Sequence, residues 1–375
     1  MSTTHTFEIR ENVPLKPFTT FKIGGPARYF ARITDQSQLQ EAIAFAATHR
    51  LSIFVLGGGS NLLISDAGIE ALVLHPVNEG VTVRAEQDGR VSIRVEAGEP
   101  WDRVVAHAVE CNWCGIENLS HIPGQAGAAV VQNIGAYGQQ LSDVFESAEV
   151  AELSSGNVRA LEAKECGLGY RRSIFNTSHK GQFLILNLTL RLSLIAETRL
   201  TYPDVKTWFY ERNVKSPTLS EVRAAIISIR DRKFPFPRAE KDGNAGSFFK
   251  NLTLGPEEYD ALQKRIRDNF GQTESERLRE LRNRFPGSPR VPTAFLMEIC
   301  GLKGFRVGNA KIGETQPLVL LNQGGATARD VLMLARHVRR TLYQKTGVKV
   351  DIEPELAGFN SGELAEYMTI EDGTD

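Results

Sequence analysis

An α+β architecture in more than one domain is what this sequence predicts, and three observations predict it. The chain has 375 residues, more than one typical core accommodates. Its opening section reads strand, helix, strand, glycine loop, whereas from Gly80 the apolar residues alternate as antiparallel strands do. A proline-alternating stretch, Lys233-Phe-Pro-Phe-Pro-Arg238, then punctuates the chain before helical periodicity resumes.

In order, Pro14, Pro17 and Gly24-Gly25-Pro26 make an extended entry arm, and residues 27–33 read as a strand. Residues 36–50 carry Leu39, Ala42, Ile43 and Ala46 at helical spacing. The apolar run 52–56 is a buried strand that ends on Gly57-Gly58-Gly59-Ser60-Asn61, and 71–75 is a further strand that completes a first domain, 1–78. The second domain, 79–235, has strands at 81–84, 91–95 and 183–192, with a helix from Trp101 to Cys111 and a long glycine-rich passage, 122–138, between them. Thr218-Leu-Ser-Glu221 is a capping box that opens a helix running to Arg230. A third domain, 236–347, contains helices at 256–269 and 327–346. The latter is amphipathic through Val331, Leu334, Ala335, Val338 and Leu342, so Arg336, Arg339, Arg340 and Lys345 read as its solvated face. Residues 348–352 alternate as a strand and put Glu353 and Glu355 on its polar side.

Hydrophobic residues at 41% and charged residues at 24% are ordinary globular values. The net charge of −1, without a separate basic block, speaks against a nucleic-acid or anionic-membrane partner. No apolar run is long enough to span a membrane and the N-terminus has no signal-peptide pattern, so a cytoplasmic location is expected. Four cysteines fit a reducing compartment. Cys111-Asn-Trp-Cys114 has no second ligand pair at metal spacing, so two thiols are expected there, and no metal site.

Three segments carry chemistry. Gly57 to Asn61 directly follows a strand and presents backbone N–H groups unobstructed, which suits a phosphate or simply a tight turn. Leu62 stands where a GxGxxG fingerprint needs its third glycine, so this is not the dinucleotide motif. The passage Pro123 to Gly138 offers a second wall for the same cavity, with the Gln132 and Asn133 amides, and two such loops suggest a large nucleotide. Asn244-Ala-Gly-Ser-Phe-Phe-Lys-Asn251 sets one hydroxyl, Ser247, between a glycine and an aromatic anchor. Arg171, after Gly169-Tyr170, can aim a guanidinium fork at a carboxylate. By spacing alone Arg171 and Lys233 read as surface charges and Tyr202 as a turn residue.

Six segments together resemble the UDP-N-acetylenolpyruvoylglucosamine reductase (UDP-N-acetylmuramate dehydrogenase) family: residues 19–27, 56–62, 122–124 with 132–138, 169–175, 243–251, and Glu353-Pro-Glu355. The resemblance implies a two-domain FAD-binding fold of the vanillyl-alcohol-oxidase type, completed by 348–375, plus an α+β substrate-binding domain. It implies non-covalent FAD held by Gly57, Gly58, Gly59, Ser60, Asn61, Pro123, Gly124, Gly127, Ala128, Gln132, Asn133, Gly135, Ala136 and Tyr137. NADPH is the implied co-substrate, and UDP-N-acetylglucosamine-enolpyruvate the implied substrate, reduced for peptidoglycan precursor synthesis. The family's catalytic arginine, serine and glutamate fall on Arg171, Ser247 and Glu355, with hydride passing from flavin N5 to C3 and the proton from Ser247 to C2. Substrate-side positions fall on Tyr202, Lys233, Asn251 and Gln316, and Tyr202 places the chain in a tyrosine-loop subgroup. Val130 and Leu252 stand where the family often has proline, and Gly313 where related enzymes can carry histidine.

Overall fold

The computed structural model describes residues 7–195, 197–234, 243–283 and 290–369. The chain divides into two compact units, Met1–Val13 with Ala27–Gly59 and Glu70–Asp231, and Pro14–Pro26 with Ser60–Ile69 and Arg232–Asp375.

Besides a two-stranded sheet that pairs Gly135–Ala136 with Gln139–Gln140, the first unit holds two large sheets. One has the order Ile9–Pro14, Pro26–Ile33, Ile69–Pro76, Ile53–Val55. Its last two strands are parallel, with Ile53 opposite Leu72 and Val55 opposite Leu74. The helix Gln36–Thr48 starts where the Asp35 carboxylate accepts from the Gln38 N–H, and it buries the expected Leu39, Ala42 and Ala46. The second sheet is antiparallel, in the order Val158–Glu162, Phe145–Glu152, Phe183–Ser193, Arg90–Glu96, Val81–Gln87. Its central strand, Phe183–Ser193, buries Leu188, Leu190 and Leu192 in one core with Trp101, Val104 and Val105 of the helix Trp101–Glu110.

Leu72 and Leu74 of the first sheet share a core with Ala151, Leu153 and Leu184. Residues on both sides of position 78 therefore pack as one body. The strand Phe145–Glu152 and the helix Pro203–Glu211 lie outside the elements expected from the sequence. The strand, Phe-Glu-Ser-Ala-Glu-Val-Ala-Glu, carries three glutamates, so its apolar alternation is faint.

In the second unit the helices Pro256–Phe270, Gln272–Asn283, Thr293–Ile299 and Ala328–Thr346 surround small sheets. Phe21, Ile23 and Leu63 join Phe248, Phe249, Leu296, Val331 and Val338 in its core. The strand expected at 348–352 is reduced to a single bridge from Ile352 to Phe249, although Val350 is buried and Lys349 and Asp351 are exposed as alternation requires. The regular strand falls later, at Glu355–Ala357, and pairs in parallel with Leu62–Ile64. Arg339 departs from its expected place on a solvated face: it is buried, and its guanidinium donates to the Val350 and Met368 carbonyls at 3.0 and 2.7 Å. That pair of bonds anchors the C-terminal helix Ser361–Met368. Among the described residues no helix is long and apolar enough to cross a membrane.

Candidate active site

The candidate residues fall on both units, and each set is built by its own local structure. In the first unit the strand Ile53–Val55 delivers the chain to Gly57 and Gly58. A Cβ on Gly58 would lie 2.5 Å from the Gly124 Cα, and one on Gly57 would lie 2.9 Å from the Ala128 Cβ. The two glycine loops thus lie backbone against backbone, closer than any side chain permits. Among the described residues the Gly57 and Gly58 N–H groups donate no hydrogen bond. Gln125 donates to the Pro76 carbonyl at 2.9 Å, and its buried Oε1 accepts from no group among the described residues. Bare N–H groups and an unsatisfied buried amide oxygen between two glycine loops fit a dinucleotide such as FAD. Gln125 was missed in the sequence, although it lies inside the glycine-rich passage.

The same passage is laced to the arginine turn. Asn133 donates to the Gly169 carbonyl at 2.8 Å and accepts from the Ser142 N–H at 3.0 Å. Asn176 donates to Gln132 Oε1 and to the Arg171 carbonyl, and the Ser173 hydroxyl donates to the Val131 carbonyl at 2.7 Å. The side chains of Gln132 and Asn133 therefore hold protein to protein. Gly169 and Arg172 exchange backbone bonds of 2.8 and 3.2 Å, which closes a four-residue turn. Arg171 occupies its third position at φ 52°, a conformation that favours glycine or asparagine. Asn133 and Tyr137, at φ 40° and 47°, are left-handed as well. Strain of this kind persists only where surrounding contacts over-determine it, and it collects at functional sites. The Arg171 guanidinium donates to the Gly135 carbonyl at 3.1 Å.

Tyr202 immediately precedes the helix Pro203–Glu211 and meets the Tyr137 ring edge-on, 5.3 Å between centroids. Burial pushes the Tyr137 hydroxyl up to about 12, and burial together with Asp204 and Tyr170 raises that of Tyr202, so both remain hydrogen-bond donors at neutral pH. Arg230, which sequence spacing did not single out, lies in the helix Leu219–Lys233 and donates to the His121 carbonyl at 3.1 Å. Burial lowers its pKa and the neighbouring Arg171 adds to the lowering, while Tyr137, Asp102 and Asp231 oppose it. Tyr137, Arg171 and Arg230 thus form a polar cluster around the glycine passage. Lys233 ends the same helix.

In the second unit Ser247 sits at the end of a pinned turn. The Asn244 side chain accepts from the Gly246 N–H at 3.0 Å, and Gly246 takes φ +72°. The Thr20 hydroxyl donates to the Asn244 carbonyl at 2.7 Å, so the entry arm braces this turn. Ser247 bridges Val319, and the Phe248 N–H donates to the Leu318 carbonyl at 2.7 Å. On the other side the Phe248 carbonyl accepts from the Glu353 N–H at 2.9 Å. Phe248 and Phe249 are fully buried, with Phe21 edge-on to Phe248, so each ring contributes ~2 kcal/mol to holding the turn.

Glu355 opens the strand Glu355–Ala357 opposite Leu62, and its N–H donates to the Asn61 carbonyl at 3.0 Å. Asn61 in turn reaches the Glu353 carbonyl, so Asn61, Ser247 and Glu355 lie on neighbouring segments of this unit, with Ser60 directly before Asn61. Asn251 accepts from the Thr293 N–H at 3.2 Å, at the start of the helix Thr293–Ile299, and the Gln316 side chain accepts from the Leu318 N–H within its own turn. A Cβ at Gly313 would meet the Gln316 carbonyl oxygen at 2.6 Å, so a larger residue requires that turn to open. Val130 is buried in the short helix Ala126–Val131, and Leu252 pairs with Val291, so neither position needs a proline here.

All four cysteines are free. Burial pushes Cys114 and Cys300 up to about 11 and Cys166 up to about 12, which keeps these thiols protonated.

Two family models match the chain: an FAD binding domain over residues 27–162, and the C-terminal domain of UDP-N-acetylenolpyruvoylglucosamine reductase over 237–357. The UDP-N-acetylenolpyruvoylglucosamine reductase of Pseudomonas fluorescens is 37% identical over 355 residues, covering 94% of this chain and 99% of the relative. That of Pseudomonas putida is 37% identical over 354 residues with the same coverage. The fold is similar to that of UDP-N-acetylenolpyruvylglucosamine reductase from Thermus caldophilus, with a TM-score of 0.62, 24% identity, and 94% and 99% of the two chains covered.

Proposed function

The chain belongs to the UDP-N-acetylenolpyruvoylglucosamine reductase family, an FAD oxidoreductase of peptidoglycan precursor synthesis, and from that membership we propose an NADPH-dependent reduction of UDP-N-acetylglucosamine-enolpyruvate to UDP-N-acetylmuramate. The observation that carries this reading is the end-to-end likeness to reductases of that name, 37% identical over 99% of the relative's length.

Bound FAD supplies the hydride chemistry that no amino-acid side chain provides. Gly57, Gly58, Gly124, Gln125 and Ala128 would hold it, and the unspent Gly57 and Gly58 N–H groups and the Gln125 amide oxygen support that assignment. When C3 of the enolpyruvyl ether has gained hydride, negative charge falls on C2 and the adjoining carboxylate. Arg171, fixed by its strained turn, neutralises the carboxylate, and Glu355, when it carries a proton, donates a hydrogen bond to the same group. Ser247 gives its hydroxyl proton to C2. A serine is a weak acid, so it works through position, and its turn braced by Thr20, Asn244 and the two phenylalanines suits that task. Tyr202, Lys233, Asn251 and Gln316 contact the nucleotide-sugar, with the diphosphate facing Tyr202 and Lys233. Residues 236–347 form its substrate-binding domain, and the reaction takes place in the cytoplasm.

Anaerobic stopped-flow absorbance tests the reading. NADPH should bleach the flavin band of the purified protein, and the enolpyruvyl nucleotide-sugar should restore it. A reduced flavin that ignores that substrate yet reacts with oxygen would preserve the fold assignment and overturn the substrate.

A further inference from the structure

In the second unit the helices Ala328–Thr346 and Ser361–Met368 border a groove of about 300 Å³. Arg329, Arg336 and Arg340 line it from the long helix with Met333 among them, and Glu366 and Tyr367 line it from the shorter one. Positions 329, 333, 336 and 340 follow the i, i+4, i+7, i+11 spacing, so one helix face presents all four along about 16 Å. The three arginine side chains are exposed, and among the described residues they make no ion pair and no side-chain hydrogen bond. Three arginines against one glutamate leave the lining at a net charge of +2. His337 also lines the groove, stacked on Phe305 with ring centroids 4.1 Å apart. Burial lowers its pKa, so the positive charge belongs to the guanidiniums.

Two features set this groove apart from an ordinary solvated helix face. Its second wall is a built one, because the buried Arg339 holds the Met368 carbonyl and Tyr367 is inserted in the core. That wall also lies beyond residues 237–357, which the C-terminal family model matches. The cationic groups are all arginine, whose fork geometry matches phosphate oxygens in pairs. A row about 16 Å long exceeds what a single phosphate can bridge. Met333, 42% exposed, and Tyr367 add an apolar strip alongside the charges.

From this arrangement we propose that the groove between the helices Ala328–Thr346 and Ser361–Met368 binds a small ligand carrying two or more linked phosphate groups. The site is independent of the reductase reading. Inorganic polyphosphates and nucleoside polyphosphates share the required chemistry, and the apolar strip offers the latter a second contact.

The test is isothermal titration of the full FAD-loaded chain with sodium triphosphate and, separately, with ATP. Wild type is compared with R336Q/R340Q and with R84Q/R90Q, a control of equal charge change at exposed positions of the edge strand Val81–Gln87 and of its neighbour Arg90–Glu96. Flavin absorbance and thermal midpoint establish that each variant is folded. The expected result is at least one of the two ligands bound by wild type, tenfold or more weaker binding in R336Q/R340Q, and near-unchanged binding in the control. Tighter binding of ATP that the uncharged Met333→Ala reduces to the level of triphosphate assigns the site to nucleotides, whereas ATP binding no tighter than triphosphate assigns it to the phosphate chain alone. No binding by wild type, no loss in R336Q/R340Q, or equal loss in both double variants overturns the proposal.

Discussion

Among the described residues the Ser247 hydroxyl makes no hydrogen bond, and what the fold supplies is placement, with backbone bonds from Phe248 to Leu318 and Glu353 on either side. Ser247→Ala should therefore leave flavin reduction by NADPH unchanged and slow reoxidation by the enolpyruvyl substrate at least ~100-fold, read by double-mixing stopped flow. Gly313 marks the opposite case, a position where the backbone itself leaves no room. Its Cβ would meet the Gln316 and Val319 carbonyl oxygens at 2.6 and 3.3 Å, and Val319 is the bridge partner of Ser247. Gly313→His should cost about 1 to 3 kcal/mol, seen as a lower denaturant midpoint, because the turn must open to admit it. Motifs in the sequence single out Arg171 and Ser247 as candidates. No motif singles out Gln125 or Arg230, since an unmatched amide oxygen and neighbours distant along the chain leave no local signal.

The elements that hold these residues are joined by a few polar clamps. At Asp102 burial opposes ionisation, but the Arg223 fork at 2.7 and 2.8 Å and the His121 N–H outweigh it and hold the pKa below the ordinary 3.8. This clamp ties the helix Trp101–Glu110 to Leu219–Lys233. Its contribution is complete above the unfolded value and is lost as the pH falls through the lower folded one. Wild-type stability should thus drop further below pH ~4 than that of Asp102→Asn, measured by urea unfolding across that range. Arg339 clamps a second pair of segments. Arg339→Met strands the Val350 and Met368 carbonyls at a cost of about 1 to 3 kcal/mol, and amide exchange should quicken across Ser361–Met368 while the rest of the unit keeps its protection. The glycine loops make the same point for backbone. Gly58→Ala brings a methyl within 2.5 Å of the Gly124 Cα, and the purified variant should carry several-fold less FAD by its 450 nm to 280 nm absorbance ratio.

At the scale of the whole molecule, the second unit is assembled from three separate stretches of chain. Residues 232–375 expressed alone would lack Phe21, Ile23 and Leu63 from their core, the Leu62–Ile64 partner of the strand Glu355–Ala357, and the Phe21 and Lys22 carbonyls that Asn322 binds. That fragment should melt without a sharp cooperative transition by circular dichroism, and adding a peptide of residues 14–26 should restore part of it. The sequence by itself determined the α+β class, the strand–helix–strand opening, the glycine loops and the family, because periodicity and motifs are local properties that survive in one dimension. It placed the C-terminal strand a few residues early and read Arg339 as solvated, since alternation reports which side chains are buried but not which backbone finds a partner. Only the tertiary structure decided that the entry arm braces the serine turn and that residues on both sides of position 78 share one core. Those outcomes follow from pairing segments far apart in the chain, where burial and hydrogen-bond satisfaction are settled jointly by both partners and neither carries the information alone.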